Sequence, residues 1–154
     1  MIPDHGRYYG CVFAQLIDDM SSPIRISKPE GAGHGFYLID ERILLYIKFS
    51  RNRKGPWTFN FMRDHRNSLE MLVGKFDGCV IALVCGKDGI VALDYVQLRD
   101  VLDEEVGEQS AVIVRRKLRH MYSVSGTSGR LPRKIARDAL VGAVTVLKGA
   151  VATG

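Results

Sequence analysis

A chain of 154 residues, 46% hydrophobic and 25% charged, has the size and composition of one globular domain whose core needs no covalent staple. Three cysteines, an odd number, give no disulfide framework, and the longest apolar stretch, Ala139 to Ala152, is too short and too interrupted by Gly142, Lys148 and Gly149 for a membrane span. No basic region followed by an apolar one opens the chain, so no signal peptide and no membrane partner are expected, and a reducing, cytoplasmic setting fits.

The formal charge of +5 is distributed in blocks. Arg42 to Arg66 holds seven Lys or Arg against one acid, Asp64, and Arg115 to Arg137 holds eight against none. Between them, Asp94 to Glu108 carries six acids and one base, Arg99. A chain patterned this way is expected to fold with a cationic face and an acidic one, and the cationic face attracts polyanions.

In chain order, Tyr9, Phe13, Leu16, Ile17 and Met20 recur at helical spacing between a capping Asp4 and the stop Ser21-Ser22-Pro23, which predicts an opening amphipathic helix. Ile24-Arg25-Ile26 alternates weakly and Glu30 to Gly35 reads as a loop. Phe36-Tyr37-Leu38-Ile39 and Ile43 to Phe49 then predict a hairpin around Asp40-Glu41-Arg42. Trp57-Thr58-Phe59-Asn60-Phe61 alternates with period two, a third strand with its aromatics on one face. Asp64 is placed to cap a second helix with the stripe Leu69, Leu72, Val73 and Phe76. Cys79 to Cys85 is continuously apolar, as in a strand buried on both faces, with its two cysteines as small hydrophobes on one side; Gly86-Lys87-Asp88-Gly89 turns it into Ile90 to Leu93. Asp94 caps a short helix carrying Leu98, Val101 and Leu102, Ala111 to Val114 and Met121 to Val124 read as strands, and Pro132 opens a last helix through Leu140. Residues 1–140 are therefore expected to form a single α/β (α+β) domain, a mixed and mainly antiparallel sheet flanked by helices. Residues 141–154 form either a tail or a docked helix.

The chemistry concentrates in three places. Tyr46-Ile47-Lys48-Phe49-Ser50-Arg51-Asn52-Arg53-Lys54-Gly55-Pro56-Trp57 puts Lys48, Arg51, Arg53 and Lys54 beside the single tryptophan. Guanidinium forks bind phosphate, and an exposed indole offers a stacking surface worth about 1–3 kcal/mol per base. The alternative is that Trp57 packs inward with Phe59 and Phe61 and leaves a solvated basic loop. Arg115, Arg116, Lys117 and Arg119 form a second basic segment. Ser125, Gly126, Thr127 and Ser128, followed by Arg130, are candidates to hold an anion on backbone amides and hydroxyls, with a plain flexible loop as the alternative. This run lacks the terminal Gly-Lys-Ser/Thr of a nucleotide-hydrolysing loop. The histidines and cysteines show no zinc-ligand spacing.

The order helix, strands, helix, strand over Tyr9 to Cys85 resembles the αβββαβ core of the restriction-endonuclease-like nucleases, the PD-(D/E)xK superfamily. In that family an acid near one strand end and a D/E-x-K on the next strand bind a divalent metal and help activate water. The resemblance implies Asp40 as the metal-binding acid, Lys48 as the catalytic lysine and Mg²⁺ as the cofactor of a metal-dependent endonuclease. The residue two before Lys48 is Tyr46, which cannot ligate as a carboxylate does, so such a site needs a displaced acid, Glu41 or the Asp18-Asp19 pair. Asp40-Glu41 otherwise reads as a turn. Three functions follow as expectations: a nucleic-acid-binding domain for DNA or RNA that needs no cofactor, a divergent nuclease, or an interaction module of a larger assembly. For the last, Asp103 to Glu108 and the apolar C-terminus, which is also a candidate for self-association, supply contact surfaces.

Overall fold

Along residues 1–102 and 109–153, which the computed structural model describes, the elements run α1 (Asp4–Asp19), β1 (Ile26–Ser27), β2 (Phe36–Ile39), β3 (Ile43–Ser50), β4 (Trp57–Met62), α2 (Arg63–Val73), β5 (Gly78–Cys85), β6 (Gly89–Leu93), α3 (Tyr95–Val101), β7 (Gln109–Arg115), β8 (Ser123–Gly126), β9 (Gly129–Arg130) and α4 (Ala139–Thr153). The segment Asp103 to Glu108, proposed above as a contact surface, lies outside these residues. The strands form two sheets, β1-β2-β3-β5-β6 and β4-β7-β8-β9. All pairings are antiparallel except β3 with β5, whose parallel register runs from Ile43 against Gly78 to Ser50 against Cys85. The mixed α+β architecture expected from the sequence is the one observed, in two sheets instead of one.

Strand character explains the layering. β3 and β5 are apolar on both faces because both faces are covered. On one side Ile43, Leu45, Ile47, Val80, Ala82 and Val84 meet Tyr9, Val12 and Leu16 of α1 and Leu140 and Val144 of α4. On the other side Leu44, Tyr46, Ile81 and Leu83 meet Trp57, Phe59 and Phe61 of β4, Val112 and Val114 of β7, and the inner faces of α2 and α3. β4 alternates buried and exposed residue by residue, the signature of a sheet with one face in solvent. The C-terminal segment from Ala139 is thus a docked helix.

Three local expectations are corrected. β4 does not extend the β2–β3 hairpin; β5 takes the free edge of β3, and β4 crosses to start the second sheet against β7. The last helix begins at Ala139 and not at Pro132, because Ile135 is held extended by two backbone bonds with Tyr122, N–H to O at 2.9 and 2.8 Å, and the Leu131 N–H donates to the Val124 carbonyl. Asp4 and Asp64 stand inside the first turns of α1 and α2, after Pro3 and Met62, where they face the positive helix end without capping it. Asp94 does cap α3: its side chain accepts from the Gln97 N–H while the Gln97 side chain accepts from the Asp94 N–H. Among the described residues no helix is long and apolar enough to cross a membrane.

Candidate nucleic-acid interface

The ladder between β4 and β7 decides where the two basic segments go. Trp57 stands opposite Val114, so the chain entering β4 and the chain leaving β7 lie side by side. Arg51, Arg53 and Lys54 therefore share one end of the molecule with Arg115, Lys117 and Arg119. The turn between β5 and β6 joins them: the Gly86 N–H donates to the Ser50 carbonyl at 2.9 Å, and a Cβ on Gly86 would meet the Asn52 carbonyl oxygen at 2.1 Å. Gly86 adopts φ 54°, so this close approach and this backbone both require glycine. The turn adds Lys87 to the same surface.

Two of the cations at this end are paired. Arg51 donates to Asp4 at 3.0 Å across an exposed contact. Arg116 is consumed structurally: its Nε donates to Asp88 Oδ2 at 2.8 Å and its Nη2 to Oδ1, while the Tyr122 hydroxyl donates to Oδ2 at 2.7 Å. The Arg116 side chain is 8% exposed and that of Asp88 19%. Hydrogen bonding by Arg116, then by Tyr122, holds the Asp88 carboxyl below its ordinary range against the opposing effect of burial, with Arg137 adding to the attraction. Arg115 reaches the Ser125 hydroxyl at 3.2 Å. Arg53, Lys54, Lys87, Lys117 and Arg119 are exposed and make no ion pair with an acid among the described residues. Arg119 stands at φ 67°, in the loop closed by the His120 N–H on the Lys117 carbonyl.

Trp57 is not a stacking surface. It is 2% exposed, it packs edge-on to Tyr122 at 6.4 Å between ring centres, and its indole N–H donates to the Asn52 carbonyl at 2.9 Å. The indole thus organises the basic loop from beneath. Its face was settled by the strand period it shares with Phe59 and Phe61.

Lys48 leaves the basic surface too. It lies on the face of β3 that looks toward the second sheet, with its ammonium 4.8 Å from the Phe61 ring centre and 5.6 Å from that of Tyr46. Burial pulls its pKa from 10.5 down to about 8, with Asp64 opposing the fall. Asp40 stands beyond the far end of β3: five residues of strand, about 16 Å, separate Ile43 from Lys48. Its backbone is left-handed, φ 54°, in the β2–β3 turn. One carboxylate oxygen accepts from the Arg25 N–H at 2.8 Å and the other meets Lys148 at 3.2 Å. Burial works to raise its pKa, but these two contacts prevail and hold it low. Asp40 is a turn residue that ties α4 to the hairpin, and the structure does not bring it to Lys48. Of the displaced acids, Glu41 is exposed at 3.7 Å from Arg25, and Asp18 and Asp19 are exposed at the last turn of α1. Among the described residues no cluster of three metal-ligating side chains forms.

The serine- and glycine-rich segment is a tight β8–β9 hairpin. The Thr127 N–H donates to Ala111 and the Ser128 N–H to Val101, so these amides are not turned toward an anion. The Thr127 hydroxyl accepts from the Ala111 N–H at 3.0 Å. Gly126 and Gly129 serve close packing, since a Cβ would come within 2.4 Å of the Val101 carbonyl oxygen or 2.8 Å of that of Asp100. Arg130 is exposed beside this turn.

Lys87 was missed by sequence reading because nothing local reveals it. Its turn is legible, but its position beside Asn52 depends on the parallel pairing of β3 and β5. Comparison of the chain with protein-family models, with curated proteins and with solved structures finds no match.

Proposed function

We propose that this protein binds nucleic acid through the cationic end formed by loop 51–56, the β5–β6 turn and loop 116–121. The supporting observation is the β4–β7 register, which sets two acid-poor segments from distant parts of the chain beside each other. Exposed arginine and lysine at Arg53, Lys54, Lys87, Arg115, Lys117 and Arg119 suit contact with a phosphate backbone, which supplies affinity without sequence preference. Leu118, 80% exposed in the second loop, offers an apolar contact to sugar or base in place of the buried Trp57. Of the cations in these two segments, Asp4 and Asp88 pair with Arg51 and Arg116. The free thiols of Cys11, Cys79 and Cys85 fit the cytoplasmic setting this reading assumes.

Fluorescence anisotropy with single- and double-stranded DNA and RNA oligonucleotides over a salt series tests the proposal. Affinity should fall with salt with a logarithmic slope of about −3 to −5, as for several displaced counterions. The pairs Arg53→Ala with Lys54→Ala, and Lys117→Ala with Arg119→Ala, should each flatten that slope by about one to two. Absence of binding at low salt, or slopes unchanged in both double variants, overturns it.

A further inference from the structure

A groove of about 430 Å³ lies between α1 and the β5–β6 turn, within the size range of small-molecule sites. Arg7 from the helix and Lys87 from the turn place a cation on each side, Tyr8 and Ile90 supply apolar surface, and Gln15 and Cys11 line it further, with no carboxylate among its lining residues. Both walls are braced. The Tyr8 ring stacks on Phe49 at 4.6 Å between centres and 11° between planes. Gly86 abuts Asn52, and a Cβ on Gly89 would come within 2.4 Å of the Tyr122 hydroxyl, which fixes the turn that carries Lys87. Burial pushes the Cys11 thiol up, so it adds no negative charge. Asp4 is divided between Arg51 at 3.0 Å and Arg7 at 3.9 Å, a looser hold on Arg7. A braced cleft with a cation from each wall and an aromatic ring is preorganised for an anionic group joined to a flat ring.

We propose that this groove binds a nucleoside 5′-monophosphate unit, with the phosphate held by Arg7 and Lys87. Gly86 of the groove abuts Asn52, and Arg7 shares Asp4 with Arg51, which sets the groove next to the basic loop; the unit is the phosphorylated 5′ end of a strand or a free nucleotide of the same chemistry. The strand-end form rests on the nucleic-acid reading above; the free-nucleotide form does not.

The test is an amide-detected NMR titration of the full chain with adenosine 5′-monophosphate, and separately with adenosine and with inorganic phosphate. It is paired with anisotropy of 5′-phosphorylated and 5′-hydroxyl oligonucleotides. The monophosphate should shift the Gly86, Gly89 and Cys11 amides saturably and bind about tenfold tighter than either fragment. Gln15→Trp, which fills the groove without altering charge, and Lys87→Ala should each remove the response. A preference for the 5′-phosphorylated strand that vanishes in Gln15→Trp assigns the strand end, and monophosphate binding with equal oligonucleotides assigns the free nucleotide. No amide shift at about 5 mM monophosphate together with no 5′-phosphate preference overturns the proposal, even where 5′-hydroxyl strands bind. A response that persists in Gln15→Trp overturns it as well. Failure of all oligonucleotides removes the nucleic-acid reading instead, and leaves the monophosphate titration to decide the groove.

Discussion

Lys48→Met should make the protein more stable. The lysine sits between the sheets with two aromatic rings around its ammonium, and burial lowers its pKa from 10.5 to about 8. A depression of that size means the folded state carries about 3 kcal/mol of cost while the amine stays charged. Attraction to the Phe61 and Tyr46 rings offsets about 0.5–1 kcal/mol of what a neutral replacement gains. Methionine keeps the apolar stem and loses the ammonium, so the expected gain at pH 7 is about 2 kcal/mol. The pH dependence identifies the cause. A base whose folded pKa lies below its unfolded value leaves the unfolded chain holding the extra proton between pH 8 and 10.5, so the contribution of Lys48 to wild-type stability rises with pH across that window and is lowest, and flat, below it. The advantage of the variant should therefore shrink from pH 8 upward. Burial raises the Cys79 and Cys85 thiols and the Tyr46 and Tyr122 hydroxyls above their ordinary values, and so gives an opposite slope from about pH 9 for the thiols and about pH 10 for the hydroxyls. These groups are present in both proteins, so their slope cancels in the difference between the two, and a series ending at about pH 9.5 avoids the hydroxyls. Urea unfolding of the pair from pH 6.5 to 9.5 reads the difference. A variant less stable than wild type, or a gap that stays constant with pH, refutes the account of Lys48 as a desolvated cation.

Tyr122→Phe removes the hydroxyl that donates to Asp88 and should cost about 1.5–3 kcal/mol in denaturant unfolding at pH 7, with a smaller cost at low pH. Asp88 has a folded pKa below its unfolded one, so the stability it contributes is present above about pH 4 and is lost as the pH falls through the folded value. Gly126→Ala forces a Cβ into the Val101 carbonyl and should destabilise by about 2 kcal/mol or more, whereas Gly142→Ala, in an open stretch of α4, should stabilise by about 1 kcal/mol. Equal effects of the two in thermal unfolding would contradict the packing described at β8. Wild-type tryptophan emission should be shielded from acrylamide and unchanged by oligonucleotide. Quenching by bound strand would restore the stacking role withdrawn above.

Local periodicity carried most of the elements. The alternation Trp57, Phe59, Phe61 and the unbroken apolar run Cys79 to Cys85 each report the environment of their own strand, half-solvated in one case and doubly covered in the other. Neither reports a partner. Nothing in Trp57 to Met62 distinguishes a third strand of the hairpin from the first of a new sheet, since both present one apolar face. Pro132 is a fair helix opener by itself, and it was overridden by the pairing of Ile135 with Tyr122, residues separated by the β8–β9 hairpin. The basic end was half legible: the charge blocks are in the sequence, but their adjacency is a property of the β4–β7 register. Ser125 to Ser128 misled because glycine required for close approach to α3 looks the same, in sequence, as glycine that exposes amides to an anion.

The parallel pairing of β3 with β5 also constrains how the chain can be made. The strand β3 is complete at Ser50, yet its edge is closed only once Cys85 has been synthesised, and the intervening β4 and α2 belong to the opposite layer. A nascent or truncated chain ending before Cys85 carries an open, largely apolar strand edge with no shield, the kind of edge that recruits other copies. Fragments cut in the α2 region are therefore expected to aggregate, and expression boundaries for this protein belong outside the β3–β5 interval.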